Sequence, residues 1–135
     1  MRYASLNLLA CPMCRCFPLK LYVFEERTLT SIGVSEKPFC DVFCGFCGRH
    51  TREIGVDLIN CDLCLSKDIV SGIIVCERCW RWYPIIGGVA LMYPDDIRLS
   101  TRIRVVEKLF IRKYRDRVPG HVIARDPLKL LRGVR

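Results

Sequence analysis

Eight of the chain's ten cysteines fall in four Cys-x-x-Cys pairs: Cys11/Cys14, Cys44/Cys47, Cys61/Cys64 and Cys76/Cys79. Two intervening residues make a tight knuckle that aims both sulfurs at one ion. Two knuckles supply the four thiolates of a tetrahedral structural zinc site. Four knuckles imply two zinc ions, one held by Cys11, Cys14, Cys76 and Cys79 and one by Cys44, Cys47, Cys61 and Cys64. Cys40 is a possible substitute in the second set, pairing with Cys44 across three residues and leaving Cys47 out. Cys16 reads as a spare thiol. The competing use of the middle cysteines is disulfides, which occur inside hyperthermophile cells. A chain with no Gln and only Asn7 and Asn60 points toward such a habitat.

This chemistry is structural rather than catalytic. Four thiolates leave no open coordination position for a substrate. Only His50 and His121 are available as histidines, and neither lies in the His-x-Glu spacing of a zinc deaminase. Gly87-Gly88 is not a phosphate loop, and no nucleophile–base pair is visible. A protein that is not itself an enzyme is the expectation.

Charge divides the chain. The formal net charge is +8. Residues 95–135 carry 12 Lys/Arg against 5 Asp/Glu, whereas residues 1–94 carry 10 against 9. Each four-thiolate zinc site contributes −2, so the cysteine-rich head is neutral to slightly acidic and the basic character belongs to the tail. The run Arg112, Lys113, Arg115 and Arg117 is the candidate RNA contact. No apolar run approaches the roughly 20 residues needed to span a bilayer, and the first nine residues do not read as a signal peptide. A cytoplasmic protein with no membrane association is expected.

The elements that must position the cysteines can be read in outline. Leu6, Leu8 and Leu9 suggest a helical turn under the first knuckle. Residues 17–25 alternate as a strand. Residues 54–59 fit a short strand before the third pair. Residues 69–75 are β-branched and enter the last knuckle; residues 80–86 leave it as a strand, Gly87-Gly88 turns, and residues 89–92 return. Strand, knuckle, strand is a zinc-ribbon pattern. Leu99, Ile103, Val106, Phe110 and Tyr114 form a helical stripe, ended by Val118-Pro119-Gly120. Residues 123–135 read as loosely ordered. The fold expected is a small α+β protein, a zinc-ribbon antiparallel sheet with flanking helices. Its zinc-ribbon domain comprises residues 1–25 and 69–94, with a cysteine-rich insert at 26–68 and a basic helical tail at 95–135. The segment Ile85, Ile86, Val89, Ala90, Leu91 and Met92 is apolar and uncharged, the kind of strand edge that invites pairing with another sheet.

Leu8-Leu9-Ala10-Cys11-Pro12-Met13-Cys14, followed late in the chain by Cys76-Glu77-Arg78-Cys79 and Tyr83-Pro84-Ile85-Ile86-Gly87-Gly88-Val89-Ala90-Leu91-Met92, resembles the small zinc-binding activator subunit shared by tRNA, ribosomal RNA and release-factor methyltransferases, in its archaeal form. The resemblance covers roughly residues 1–24 and 69–118. It implies a non-catalytic subunit that forms a heterodimer with a Rossmann-type, S-adenosylmethionine-dependent methyltransferase and adds a strand to its sheet. The chain departs from the family pattern in three ways: Trp80 stands where the family has Gly, the Gly-Ile-Pro element reads Gly88-Val89-Ala90, and the cysteine-rich insert is additional. The alternative, drawn from the basic tail, is a free-standing zinc-ribbon protein that binds RNA or the ribosome.

Overall fold

The computed structural model describes residues 1–30, 33 and 37–132. A 3₁₀ helix over Tyr3–Leu8 leads through the first knuckle into β1 (Lys20–Thr28). A small hairpin follows, β2 (Phe43–Cys44) and β3 (Arg49–His50), then 3₁₀ turns at Thr51–Glu53 and Val56–Leu58, then α1 (Cys61–Leu65). The chain returns as β4 (Lys67–Val75), β5 (Trp82–Ile86) and β6 (Val89–Ala90). It closes with α2 (Asp95–Arg98), α3 (Thr101–Tyr114), a 3₁₀ turn at Arg115–Arg117 and α4 (Gly120–Arg125).

The main sheet is antiparallel, in the order β1-β4-β5-β6. Its register sets Leu21 and Tyr83 on either side of Ile74, and Tyr22 and Pro84 on either side of Ile73. Successive side chains point to opposite faces, so the sheet feeds two cores. Ile69, Ile74, Tyr83 and Ile85 pack with Leu6, Leu19 and Phe43 under the N-terminal and cysteine-rich segments. Ile73, Val75 and Trp82 pack against Phe110, Ile111, Tyr114, Val122 and Leu131 of the tail. Cover on both faces explains why the end of β4, Ile73-Ile74-Val75, is a continuous apolar run instead of alternating. Gly72 sits where β1 comes closest; a Cβ there would lie 2.5 Å from the Tyr22 carbonyl oxygen.

Three sequence expectations are corrected. Residues 54–59 form no strand; the chain turns there in 3₁₀ geometry. Residues 123–132 are packed, not loose: Leu131 is fully buried, and the Asp126 carboxylate accepts N–H bonds from Leu128 and Leu131. Residues 133–135 of that expectation lie outside the described residues. The inward face of α3 is also rotated from the expected stripe. Phe110 and Tyr114 are buried, but Leu99 and Val106 are exposed, while Glu107 and Ile111 point inward. The cause is Arg98. Its guanidinium lies 4.7 Å from the Trp82 ring centroid and donates through Nε to Glu107 at 2.8 Å, with both side chains buried. Sequence periodicity weights apolar residues and passes over a charged pair that turns a helix.

Candidate functional site

The outer knuckles become neighbours because β1 and β4 pair, with Lys20 opposite Val75. Cys11 and Cys14 precede β1, and Cys76 and Cys79 join β4 to β5. Their sulfurs interleave: Cys11 Sγ lies 3.6 Å from Cys79 Sγ, and Cys14 Sγ 3.5 Å from Cys76 Sγ. All four sulfurs lie within 4.8 Å of one another. A tetrahedron with Zn–S of about 2.3 Å has edges of about 3.8 Å, whereas a disulfide brings sulfurs to about 2.05 Å. The spacing fits four ligands around one ion and not two disulfides. Four thiolates suit a soft ion such as zinc, and not the hard cations.

The local backbone explains how each knuckle closes. Arg15 and Trp80, the residues after each pair, adopt φ of 60° and 62°. Their N–H groups return to the Cys11 and Cys76 carbonyls, both at 2.8 Å. Left-handed backbone favours glycine. The Trp80 ring packs against α4, with the Arg125 guanidinium 4.4 Å and the His121 ring 6.0 Å away. Trp82 and Tyr83 are fully buried, so neither is a base-stacking platform.

Further donors converge on the sulfurs. The Tyr83 hydroxyl lies 3.3 Å from Cys11 Sγ. Burial pushes the Cys11 thiol up, but the Tyr83 hydroxyl and the N–H groups of Cys14 and Met13 outweigh it and bring it down to about 7. Burial drives Cys76 and Cys79 the other way, above the usual thiol range. Arg81, doubly bonded to Asp95 at 2.7 and 2.9 Å, also stands beside Cys79. The sequence reading missed Tyr83 and Arg81 as supports of the cluster, since nothing in their spacing marks them.

The middle cysteines gather more loosely. Cys40, Cys44, Cys47, Cys61 and Cys64 line one cavity. All ten cysteines are free thiols. Cys40, Cys61 and Cys64 are buried, Cys44 is half-buried and Cys47 is exposed.

The expected docking segment divides. Ile85 is fully buried in the protein's own core and offers no contact surface. Ile86, Ala90, Leu91 and Met92 are half-buried, and Val89 is 58% exposed. β6 forms one end of the sheet, paired through Ile85 with Ala90 and Ile86 with Val89. An apolar groove of about 440 Å³ opens beside it, between the Ile86–Gly87 turn and Val106, Leu109 and Phe110 of α3. No sequence pattern announced this groove.

Of the four tail cations, Arg112 and Lys113 are exposed on α3. Lys113 stands 3.8 Å from Glu25 and 4.9 Å from the Tyr114 ring centroid. Arg117 donates to the Phe24 carbonyl and lies over the Phe24 ring. Arg115 is half-buried and engaged with neighbouring groups. No helix among the described residues is long and apolar enough to cross a membrane.

A family model described as Trm112p-like protein matches residues 2–88. That span contains all four outer cysteines, the whole cysteine-rich segment and β1 to β5. No curated protein matches the chain.

Proposed function

Because this chain belongs to the Trm112p-like family of methyltransferase activators, we propose that it is a non-catalytic subunit that binds and stabilises a Rossmann-type, S-adenosylmethionine-dependent methyltransferase acting on tRNA, rRNA or a translation factor. Cys11, Cys14, Cys76 and Cys79 hold a structural zinc that ties β1 to the β4–β5 turn. The contact to the partner is made by β6 and the apolar surface beside it.

One observation carries the choice of edge. The sheet has two ends, and they differ in character. β1 carries Lys20, Glu25, Glu26 and Arg27, and charge along an edge protects it from pairing. β6 and its flanks, residues 85–92, carry no charge at all. An unprotected edge beside an apolar groove is suited to strand addition, in which main-chain hydrogen bonds give affinity and flanking pockets give selectivity. The exposed side chains Val106 and Leu109 line that groove, with Glu25 and Lys113 at its rim, and Val89 is exposed on β6.

The alternative, a free-standing RNA-binding protein, finds less support, since Lys113, Arg115 and Arg117 are already engaged within the protein. Arg112, exposed on α3, stays available to touch RNA within an assembled complex.

The test is reconstitution. Co-expression with each S-adenosylmethionine-dependent methyltransferase of the source organism should yield one or more 1:1 complexes that survive high salt. Methyl transfer should rise over that of the partner alone. RNA binding by the isolated chain that falls steeply with salt, with no methyltransferase complex formed, would establish the alternative instead.

A further inference from the structure

The segment between β1 and β4 gathers five cysteines around one cavity. The loop Cys44-Gly45-Phe46-Cys47-Gly48 repeats the geometry of the two outer knuckles. Gly48 adopts φ of 68°, against 60° and 62° at Arg15 and Trp80. Its N–H returns to the Cys44 carbonyl at 2.8 Å, the distance found in both outer knuckles. The Cys47 N–H points to Cys44 Sγ at 3.4 Å, as the amides of Cys14 and Cys79 serve Cys11 and Cys76. A knuckle of this form presents two sulfurs on one side, and β2 and β3 clamp its ends.

Cys61 and Cys64 stand across the cavity from that knuckle. They occupy one face of the opening turn of α1, with Asn60 capping the helix through its side-chain oxygen to the Leu63 N–H at 3.0 Å. The Phe39 N–H points to Cys61 Sγ at 3.4 Å. Gly45 lets the knuckle press on the N-terminal 3₁₀ helix, where a Cβ would lie 2.2 Å from the Tyr3 carbonyl oxygen. The cavity measures about 20 Å³, enough for one water-sized occupant. The surrounding elements are too short to cohere alone: β2 and β3 have two residues each and α1 has five. Segments of this size draw their stability from a metal or cross-link.

We propose that Cys44, Cys47, Cys61 and Cys64 bind a second zinc ion, with Cys40 as a buried fifth thiol that does not ligate. The repeated knuckle assigns Cys47 over Cys40 despite the greater exposure of Cys47. The inner sulfurs are less closely drawn together than the outer four, which form the set lying within 4.8 Å of one another among the described residues. The second ion is therefore expected to be the more easily removed.

Native mass spectrometry of the full chain tests this directly. Two zinc ions per wild-type chain are expected, falling to one in Cys47→Ser and in Cys44→Ser/Cys61→Ser, and staying at two in Cys40→Ser. Wild-type protein with one zinc, or with inner cysteines lighter by two mass units per disulfide, would overturn the proposal. So would a second ion lost from Cys40→Ser and kept by Cys47→Ser, which would put Cys40 in the ligand set. Should the variants fail to fold, cobalt-substituted wild type still decides. Thiolate-to-cobalt absorbance equivalent to eight Co–S bonds per chain supports two centres, and four supports one. These readouts need no methyltransferase, so they stand or fall apart from the activator reading.

Discussion

The hydroxyl of Tyr83 rests 3.3 Å from the sulfur of Cys11, and both residues are buried. This contact couples the metal cluster to the middle of the sheet, because Tyr83 is paired through β5 with Ile74 of β4. It also marks Cys11 as the knuckle sulfur in contact with a side-chain hydroxyl. Groups that hydrogen-bond to metal ligands orient them, and losing one commonly lowers metal affinity about 10–100-fold.

Tyr83→Phe should therefore loosen zinc with little change to the fold, since only an oxygen is removed from a packed ring. Competition with a zinc chelator should show release about tenfold easier than from wild type. Unchanged affinity would mean that the hydroxyl merely fills space.

The buried pair Arg98–Glu107 offers a second test. Nη1 and Nη2 of Arg98 and Oε2 of Glu107 have no hydrogen-bond partner among the described residues. Replacing one partner strands a buried charge and typically costs about 3–5 kcal/mol, whereas replacing both with apolar residues is often neutral. Arg98→Met and Glu107→Leu should each lower the denaturant midpoint more than the double variant does. Burial pushes the Glu107 carboxyl up, with Arg98 opposing it. Its folded-state affinity for a proton exceeds the unfolded one, so its stabilising contribution is full below the ordinary carboxylate range and is lost as pH rises through the folded value. The double variant should lack that decline as pH rises above the ordinary carboxylate range.

The last turns of the chain are a structural layer. Leu131 is fully buried in the same core as Trp82 and Ile111. Leu131→Ala should cost about 2–5 kcal/mol, measured by chemical denaturation. A cost near zero would restore the view of a loose tail.

What the sequence made legible was chemistry with fixed local spacing. Cys-x-x-Cys pairs announce their knuckles, and the β-branched run before Cys76 announces a strand, because each rule acts over a few residues. The tail packing was hidden because Val122 and Leu131 have no periodic pattern of their own; they are buried only because β4 and β5 present Ile73, Val75 and Trp82 to them. The burial of Ile85 was hidden for a similar reason. In sequence it is one more apolar residue of an uncharged run, and only the pairing of β5 between β4 and β6 turns it inward. The orientation of α3 depended on Arg98 and Glu107, nine residues apart and on different helices.

The interface makes the final prediction. Val89 is 58% exposed on β6, and Leu109 is 60% exposed on α3 beside the groove. In the free subunit a charge at either position stays in water and costs little. Buried without a counter-charge against a partner, it costs several kcal/mol, enough to disrupt most docking. Val89→Asp should therefore abolish co-purification with the methyltransferase while zinc content and the denaturant midpoint stay near wild type. Leu109→Asp separates two geometries. Loss of binding in both variants places the partner across strand and groove together; loss in Val89→Asp alone confines it to strand addition at β6. Leu91→Asp is a less clean probe than Val89→Asp, because Leu91 is half-buried and its N–H is bonded to the Pro84 carbonyl at 2.9 Å. Full binding by both Val89→Asp and Leu109→Asp would move the interface away from this end of the sheet, leaving the charged edge of β1 as the next surface to probe.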